Sequence, residues 1–224
     1  MPLHGHDLTL HLTAPLADSR RILLVYATGD AGWWGQDKDI FNHLSEWGYA
    51  AVGFSAREYV HHLGKDALLP REVADDYEAI IRTAESSLGL SRSTRTVLVG
   101  KSRGAGLAVA AAGAVMLRLR IAGVLAVGLT GEEEYVHRLR RARPRQLVML
   151  QTYSYLPQLG NIPVAVIQST RDSYVPAVEA RRLFGPDTAL RELVAIEAGD
   201  HNFGGAHDRL YDELERSLEW LLQR

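Results

Sequence analysis

The chain has 224 residues, 46% of them hydrophobic and 23% charged, with a formal net charge of −2. This is the composition of an ordinary globule with one sizeable core, and it gives no general attraction to nucleic acid. There is no cysteine, which excludes disulfides, thiolate metal sites and a cysteine nucleophile.

Short apolar runs of β type alternate with longer helical patterns along the sequence. The start, Met1-Pro2-Leu3-His4-Gly5-His6-Asp7, lacks a basic region followed by an apolar stretch, and no run is long enough to span a bilayer. As written, the chain is expected to be cytoplasmic, or periplasmic if it is a processed or truncated form. Leu8 to Leu12 alternates polar and apolar residues, which predicts an edge strand antiparallel to the rest. Ile22 to Ala27, Ala50 to Phe54, Thr96 to Val99, Ile121 to Val127, Pro163 to Gln168 and Leu190 to Ile196 are strand-like, and most are apolar throughout. Helical spacing of apolar residues occurs around Asp37 to Trp47, Arg71 to Leu88, Gly104 to Leu117, Pro176 to Leu183 and Arg209 to Leu222. The alternation predicts a single α/β domain over residues 1–224, with a mostly parallel central sheet and helices on both faces. Gly131 to Gln158 fits no regular unit and is expected to be a lid-like insertion.

Thr96-Val97-Leu98-Val99-Gly100-Lys101-Ser102-Arg103-Gly104 carries the chemistry. A β-branched run ends at Gly-Lys-Ser-Arg-Gly and passes directly into Ala-rich helical sequence. That is the context a nucleophile elbow requires, with glycines on either side of the serine allowing close packing of the chain. The competing reading is a strand-to-helix turn whose serine only caps the helix. The same stretch is not a P-loop, because no phosphate-cradling glycine loop precedes Lys101.

A serine hydroxyl needs a base to take its proton and an acid to orient that base, and in α/β-hydrolases the order is serine, acid, histidine. After the strand at Pro163 to Gln168 comes Ser169-Thr170-Arg171-Asp172-Ser173-Tyr174-Val175-Pro176, which places Asp172 at the carboxyl end of a strand. After the last strand comes Gly199-Asp200-His201-Asn202-Phe203-Gly204-Gly205, and His201 alone of nine histidines lies in such a glycine-flanked loop. Ser102, Asp172 and His201 are therefore the candidate triad, with Asp200 and Asp208 as rival acids. The loop Thr28-Gly29-Asp30-Ala31-Gly32-Trp33 follows an early strand. Amides of Asp30 or Ala31, with that of Arg103, are the candidate oxyanion hole.

Several of these segments together resemble the bacterial virulence protein VirJ/AcvB family of α/β-hydrolases: Gly29-Asp30-Ala31-Gly32-Trp33, Ser55-Ala56-Arg57-Glu58-Tyr59, Gly-Lys-Ser-Arg-Gly, Tyr155-Leu156-Pro157 before Ile162-Pro163-Val164, and His201-Asn202-Phe203-Gly204-Gly205. The resemblance implies serine-ester hydrolysis, with aminoacyl esters of phosphatidylglycerol as substrate, lysyl-phosphatidylglycerol in particular, on the periplasmic side of bacteria. The chain departs from the family elbow, Gly-Tyr-Ser-Phe-Gly-Ala-Asp, with Lys101 and Arg103 for two aromatics and Gly106 for the aspartate. With Arg57 in a loop after an early strand, these cations lead us to expect an anionic substrate rather than a lysyl one. Lys101, Arg57 and Trp33 are the candidate substrate contacts.

A small-molecule or lipid ester is the expected partner, with neither cofactor nor metal; the His4-Gly5-His6 and His61-His62 pairs lack the spacing of a zinc site. Arg138, Arg140, Arg141, Arg143 and Arg145 form a basic cluster beside Glu132, Glu133 and Glu134. A solvated charged face is the favoured reading of that cluster, and peripheral contact with an anionic membrane stays open. The alternative class of function is a non-catalytic binding or scaffold protein on the same fold. The sequence leaves the oligomeric state open.

Overall fold

Seven apolar runs become the strands of one sheet in the computed structural model, which describes residues 1–16, 21–62, 70–134 and 149–224. They are β1 (Leu10–Thr13), β2 (Ile22–Ala27), β3 (Ala50–Phe54), β4 (Arg95–Lys101), β5 (Ile121–Val127), β6 (Val164–Ser169) and β7 (Arg191–Ile196). Their spatial order is β7-β6-β5-β4-β2-β3-β1, and every neighbouring pair is parallel except β1 with β3. The alternation in β1 marks that exception: Leu10 pairs with Phe54 at an edge where the outer face meets solvent.

Helices α1 (Gln36–Glu46) and α6 (His207–Leu222) cover one face; α3 (Pro70–Leu88), α4 (Arg103–Gly113) and α5 (Ala177–Phe184) cover the other. On α6, Leu210, Leu214, Leu218 and Leu221 recur at helical spacing and are fully buried, each contributing about 1.5–3 kcal/mol by leaving water. Helix α4 is buried on all sides from Gly104 to Gly113, and its small side chains let it lie between α3 and the sheet.

Three sequence expectations need correction. Helix α4 ends at Gly113 rather than Leu117, because Ala114 turns to extended backbone (φ −75°, ψ 132°). Ala56–His62 is a helix, α2, where a plain connection was expected; the Ser55 hydroxyl caps it by accepting the Glu58 amide at 3.1 Å. Gly131 to Gln158 is not irregular throughout. Glu132–Glu134 pairs antiparallel with Met149–Gln151, and Thr152–Leu159 forms a 3₁₀ helix. The arginine cluster Arg138 to Arg145 lies outside the described residues.

The topology fixes where chemistry belongs. From β2 the chain winds outward to β3, whereas from β4 it winds the other way through β5, β6 and β7, so a crevice opens at the carboxyl ends of β2 and β4. The loop after Ala27 and the turn at Ser102 meet there.

Candidate active site

Ser102 lies between β4 and α4 with φ +52° and ψ −117°, a strained conformation for a residue with a side chain. Its surroundings over-determine it. The Ser102 amide donates to the Val127 carbonyl at 2.8 Å, which continues the β4–β5 ladder into the turn. A Cβ on Gly100 would stand 2.1 Å from the Gly104 carbonyl oxygen, and one on Gly104 would stand 2.0 Å from the Ala27 oxygen. Both glycines are therefore steric requirements of the elbow and of its contact with β2.

His201 is buried and its Nδ1 lies 2.6 Å from Asp172 Oδ2. Asp172 sits in the loop after β6, where its Oδ1 accepts the amides of Tyr174 (2.8 Å) and Val175 (3.2 Å). Gln168 Nε2 donates to Asp172 Oδ2 at 3.0 Å and to the Val175 carbonyl at 2.6 Å, locking the loop to the strand end. With every lone-pair direction engaged, the carboxylate is held against the imidazole. The ring packs on Gly128, where an added Cβ would meet His201 Cε1 at 3.0 Å. Lys101 pairs with Val127, so Gly128 and Ser102 follow the last rung of that ladder side by side. His201 Nε2 is buried with no hydrogen-bond partner among the described residues. Tyr174 covers the ring edge-on, with centroids 4.8 Å apart.

The rival acids are placed elsewhere. Asp200 Oδ1 caps its own loop by accepting the amides of Asn202 (2.8 Å) and Gly204 (3.0 Å), and Asp208 is exposed in the first turn of α6. Phe203, fully buried at φ +57°, anchors the histidine loop in the core.

In the loop after β2, the Gly29 carbonyl accepts the Gly32 amide at 3.1 Å, making a turn with Asp30 and Ala31 at its centre. Central residues of such a turn direct their amides outward. Among the described residues those of Asp30 and Ala31 have no hydrogen-bond partner. Arg103 opens α4, so its amide points out of the helix start toward the elbow. Gly29 packs against Ser102: a Cβ there would be 3.4 Å from Ser102 Cβ, which puts the loop beside the nucleophile.

A cavity of about 630 Å³ adjoins these groups, walled by Ala31, Gly32, Trp33, Ser55, Arg57 and Arg103 among others. The half-buried Trp33 stacks on His11 at 3.7 Å and presses its ring over Gly53, which fixes that wall. Arg57 stands in the first turn of α2 rather than in a loop, so its backbone is held.

The structure places the three expected cations differently. Lys101 does not face the cleft: it is 4% exposed, with Nζ 2.9 Å from Asn202 Oδ1 and 3.5 Å from Asp37 Oδ2. In a strand, side chains alternate between faces, and the residue before the elbow points into the layer under α1. Arg103 does line the cavity, but its Nε lies 2.7 Å from Asp30 Oδ1 and 3.5 Å from Glu133 Oε2. Burial pushes the Glu133 carboxyl above its ordinary range, against the pull of the Thr130 hydroxyl and Arg103. Of the three cations, the expected substrate contact Lys101 is thus held by Asn202 and Asp37, Arg103 is paired with protein carboxylates, and Arg57 alone stands on the cavity wall with no protein ion pair among the described residues.

Gln168, Asp37 and Asn202 are site residues that sequence reasoning missed. Gln168 had a signal, being the first polar residue after Val164-Ala165-Val166-Ile167 and still within the strand. Asp37 and Asn202 read as a helix-start acid and a loop amide, and only the fold brings them together.

Fold and site together define an α/β-hydrolase-fold protein built on the serine-hydrolase plan, with the serine on its elbow and the histidine paired to a loop aspartate. The model of the bacterial virulence protein (VirJ) family matches residues 21–137, more than half of the chain. The chain belongs to that family. The matched segment holds Ser102 and the loop after β2, whereas Asp172 and His201 lie beyond it and are placed by the fold. Solved structures with the same fold include Est1E from Butyrivibrio proteoclasticus, at 14% identity and a TM-score of 0.72 over 100% of this chain and 98% of that one. Another is an alpha-beta serine hydrolase homologue from Coxiella burnetii, at 18% identity and 0.65 over 94% and 91%. A third is Thermogutta terrifontis esterase 2 phosphorylated by paraoxon, at 19% identity and 0.66 over 100% and 91%. No curated protein sequence matches the chain.

Proposed function

We propose that the chain hydrolyses carboxylic esters through an acyl-enzyme on Ser102. One observation carries the reading: a buried imidazole held at 2.6 Å by a fully engaged aspartate, its Nε2 left without a hydrogen-bond partner among the described residues and its ring packed on Gly128, the neighbour of Ser102 across the β4–β5 ladder. In that arrangement Nδ1 keeps its proton toward Asp172, so Nε2 is the basic atom and takes the proton of Ser102 as Oγ attacks the ester carbonyl. The amides of Arg103 and of Asp30 or Ala31 receive the oxyanion. His201 then returns the proton to the departing alcohol and later activates the water that releases the acid. The cavity beside the oxyanion loop takes one side of the ester.

The solved esterase phosphorylated by paraoxon supports the choice of probe. A fluorophosphonate should label wild type and leave Ser102→Ala unlabelled. Hydrolysis of p-nitrophenyl esters should fall in that variant by about 10⁴-fold or more. Equal labelling of the two proteins assigns the nucleophile elsewhere. No labelling of either favours a binding protein on this fold. An aminoacyl-phosphatidylglycerol assay run beside the ester series tests the lipid substrate that the family resemblance implies.

A further inference from the structure

Beneath the elbow lies a buried polar connection that the hydrolytic steps do not use. Asp37, 1% exposed in the first turn of α1, accepts three donors: the Tyr26 hydroxyl at 2.9 Å and the Gly29 amide at 2.7 Å on Oδ1, and Lys101 Nζ at 3.5 Å on Oδ2. Lys101 in turn donates to Asn202 Oδ1 at 2.9 Å. Each end of this connection is one covalent step from a reacting group. Gly29 begins the turn that carries the Asp30 and Ala31 amides, Lys101 precedes Ser102, and Asn202 follows His201.

We infer that the Lys101–Asp37 pair is a positioning strut that sets the oxyanion loop and the histidine loop in register with the nucleophile. An ammonium and a carboxylate taken out of water are costly unless their remaining lone pairs and protons are satisfied. Here the carboxylate is satisfied by a strand residue, a loop amide and the lysine, which is the condition under which such a pair fixes geometry. Burial and the Asp37 charge both push the Tyr26 hydroxyl well above its usual range, so it stays a donor and the pattern keeps one polarity. Asn202 has a second tether, since Gln36 Nε2 donates to its carbonyl at 2.7 Å. That bond comes from α1, and the Lys101 bond is the one that ties the histidine loop to the elbow itself.

The strut rests on the esterase reading only for its kinetic consequence. Because Asn202 is exposed, its substitution spares the core. Asn202→Ala should lower kcat by about 10–100-fold, the cost of a small misplacement of a reacting group, with KM nearly unchanged, and should lower the thermal midpoint because the buried Lys101 ammonium loses its nearest acceptor. Asn202→Asp, which keeps an acceptor for the ammonium, should retain most of the wild-type kcat. Lys101→Met should lose kcat as well, and adding Asn202→Ala to it should cost nothing further, because both remove the same contact. Unchanged kcat in Asn202→Ala, a loss confined to KM, or additive losses in the double variant would each overturn the strut. A second readout needs no turnover and separates this inference from the esterase reading. The Nδ1 proton held between His201 and Asp172 should exchange with water faster in Asn202→Ala than in wild type, as seen by proton NMR; equal exchange overturns the inference even if the protein proves inert on every ester.

Discussion

His201 Nδ1 and Asp172 Oδ2 stand 2.6 Å apart although 29 residues of sequence separate them, because β6 and β7 are parallel neighbours whose following loops leave the sheet at the same end. The contact leaves one way to orient the imidazole. Asp172→Asn should therefore keep the fold while lowering kcat by about 10⁴-fold, the loss expected when the amide favours the wrong tautomer. It should also cost roughly 1–3 kcal/mol of stability. With Oδ1 still accepting the Tyr174 and Val175 amides, the new NH₂ would face the Gln168 donor, leaving buried donors unsatisfied. Steady-state kinetics and urea denaturation of the variant check both parts. Full activity here, with loss in Asp200→Asn, would transfer the role to the neighbouring acid.

The elbow glycines make a sharper stability test. Gly104→Ala would drive a methyl into the Ala27 and Thr28 carbonyl oxygens, at 2.0 and 2.6 Å, and neither backbone can retreat without parting β2 from β4. The variant should lose about 3 kcal/mol or more or fail to accumulate as folded protein. At the other end of α4, Gly113→Ala meets nothing closer than 3.6 Å. That change should be neutral or stabilise by up to about 1 kcal/mol through helix propensity. Equal thermal midpoints for the two variants would contradict the packing argument.

Asp76 supplies a pH dependence remote from the chemistry. It accepts hydrogen bonds from Tyr59 Oη at 2.6 Å and His4 Nε2 at 2.8 Å, yet burial outweighs them and raises its carboxyl above the ordinary range. A carboxyl that ionises less readily folded than unfolded binds its proton more tightly in the native state. Its stabilising share is then present below about pH 4 and is lost as the pH rises through the elevated folded value. Asp76→Asn keeps an acceptor for Tyr59 and removes the titration. Urea midpoints of wild type relative to the variant should fall as the pH rises above about 4; a difference that is flat or rises with pH contradicts the assignment.

Strand positions were readable because burial on both faces demands continuous apolar runs. Ile22 to Ala27, Ala50 to Phe54 and Ile121 to Val127 begin and end where periodicity puts them. Ser102, Asp172 and His201 were readable for a different reason: each follows a strand in the order the fold imposes, and glycines mark the elbow. What the sequence hid was direction. Lys101 and Arg103 flank the nucleophile and look alike in sequence, but the strand pleat sends Lys101 inward to Asp37, while Arg103, on the first turn of a helix, reaches the cavity and meets Asp30. Asp37 and Asn202 lie far from the elbow along the chain, so no local pattern could report bonds that close only when α1, β4 and the histidine loop converge.

Charge selection at the cavity now turns on Arg57. With Lys101 paired beneath the elbow and Arg103 held by Asp30 and Glu133, the guanidinium on α2 is, of these three and among the described residues, the one left to meet an anionic group of the substrate. A charge-assisted hydrogen bond in a partly desolvated cavity is worth roughly 1.5–3 kcal/mol, enough for a preference of tenfold or more. We expect kcat/KM for a succinyl monoester to exceed that for a matched neutral ester, and Arg57→Ala to remove the difference while leaving the neutral ester nearly unaffected. Arg103→Ala should act oppositely. It frees two carboxylates beside the cavity and should raise kcat/KM for a lysyl ester relative to the succinyl one. If wild type already prefers the lysyl ester, Arg57 does not select the substrate, and the cationic aminoacyl group implied by the family resemblance takes the site.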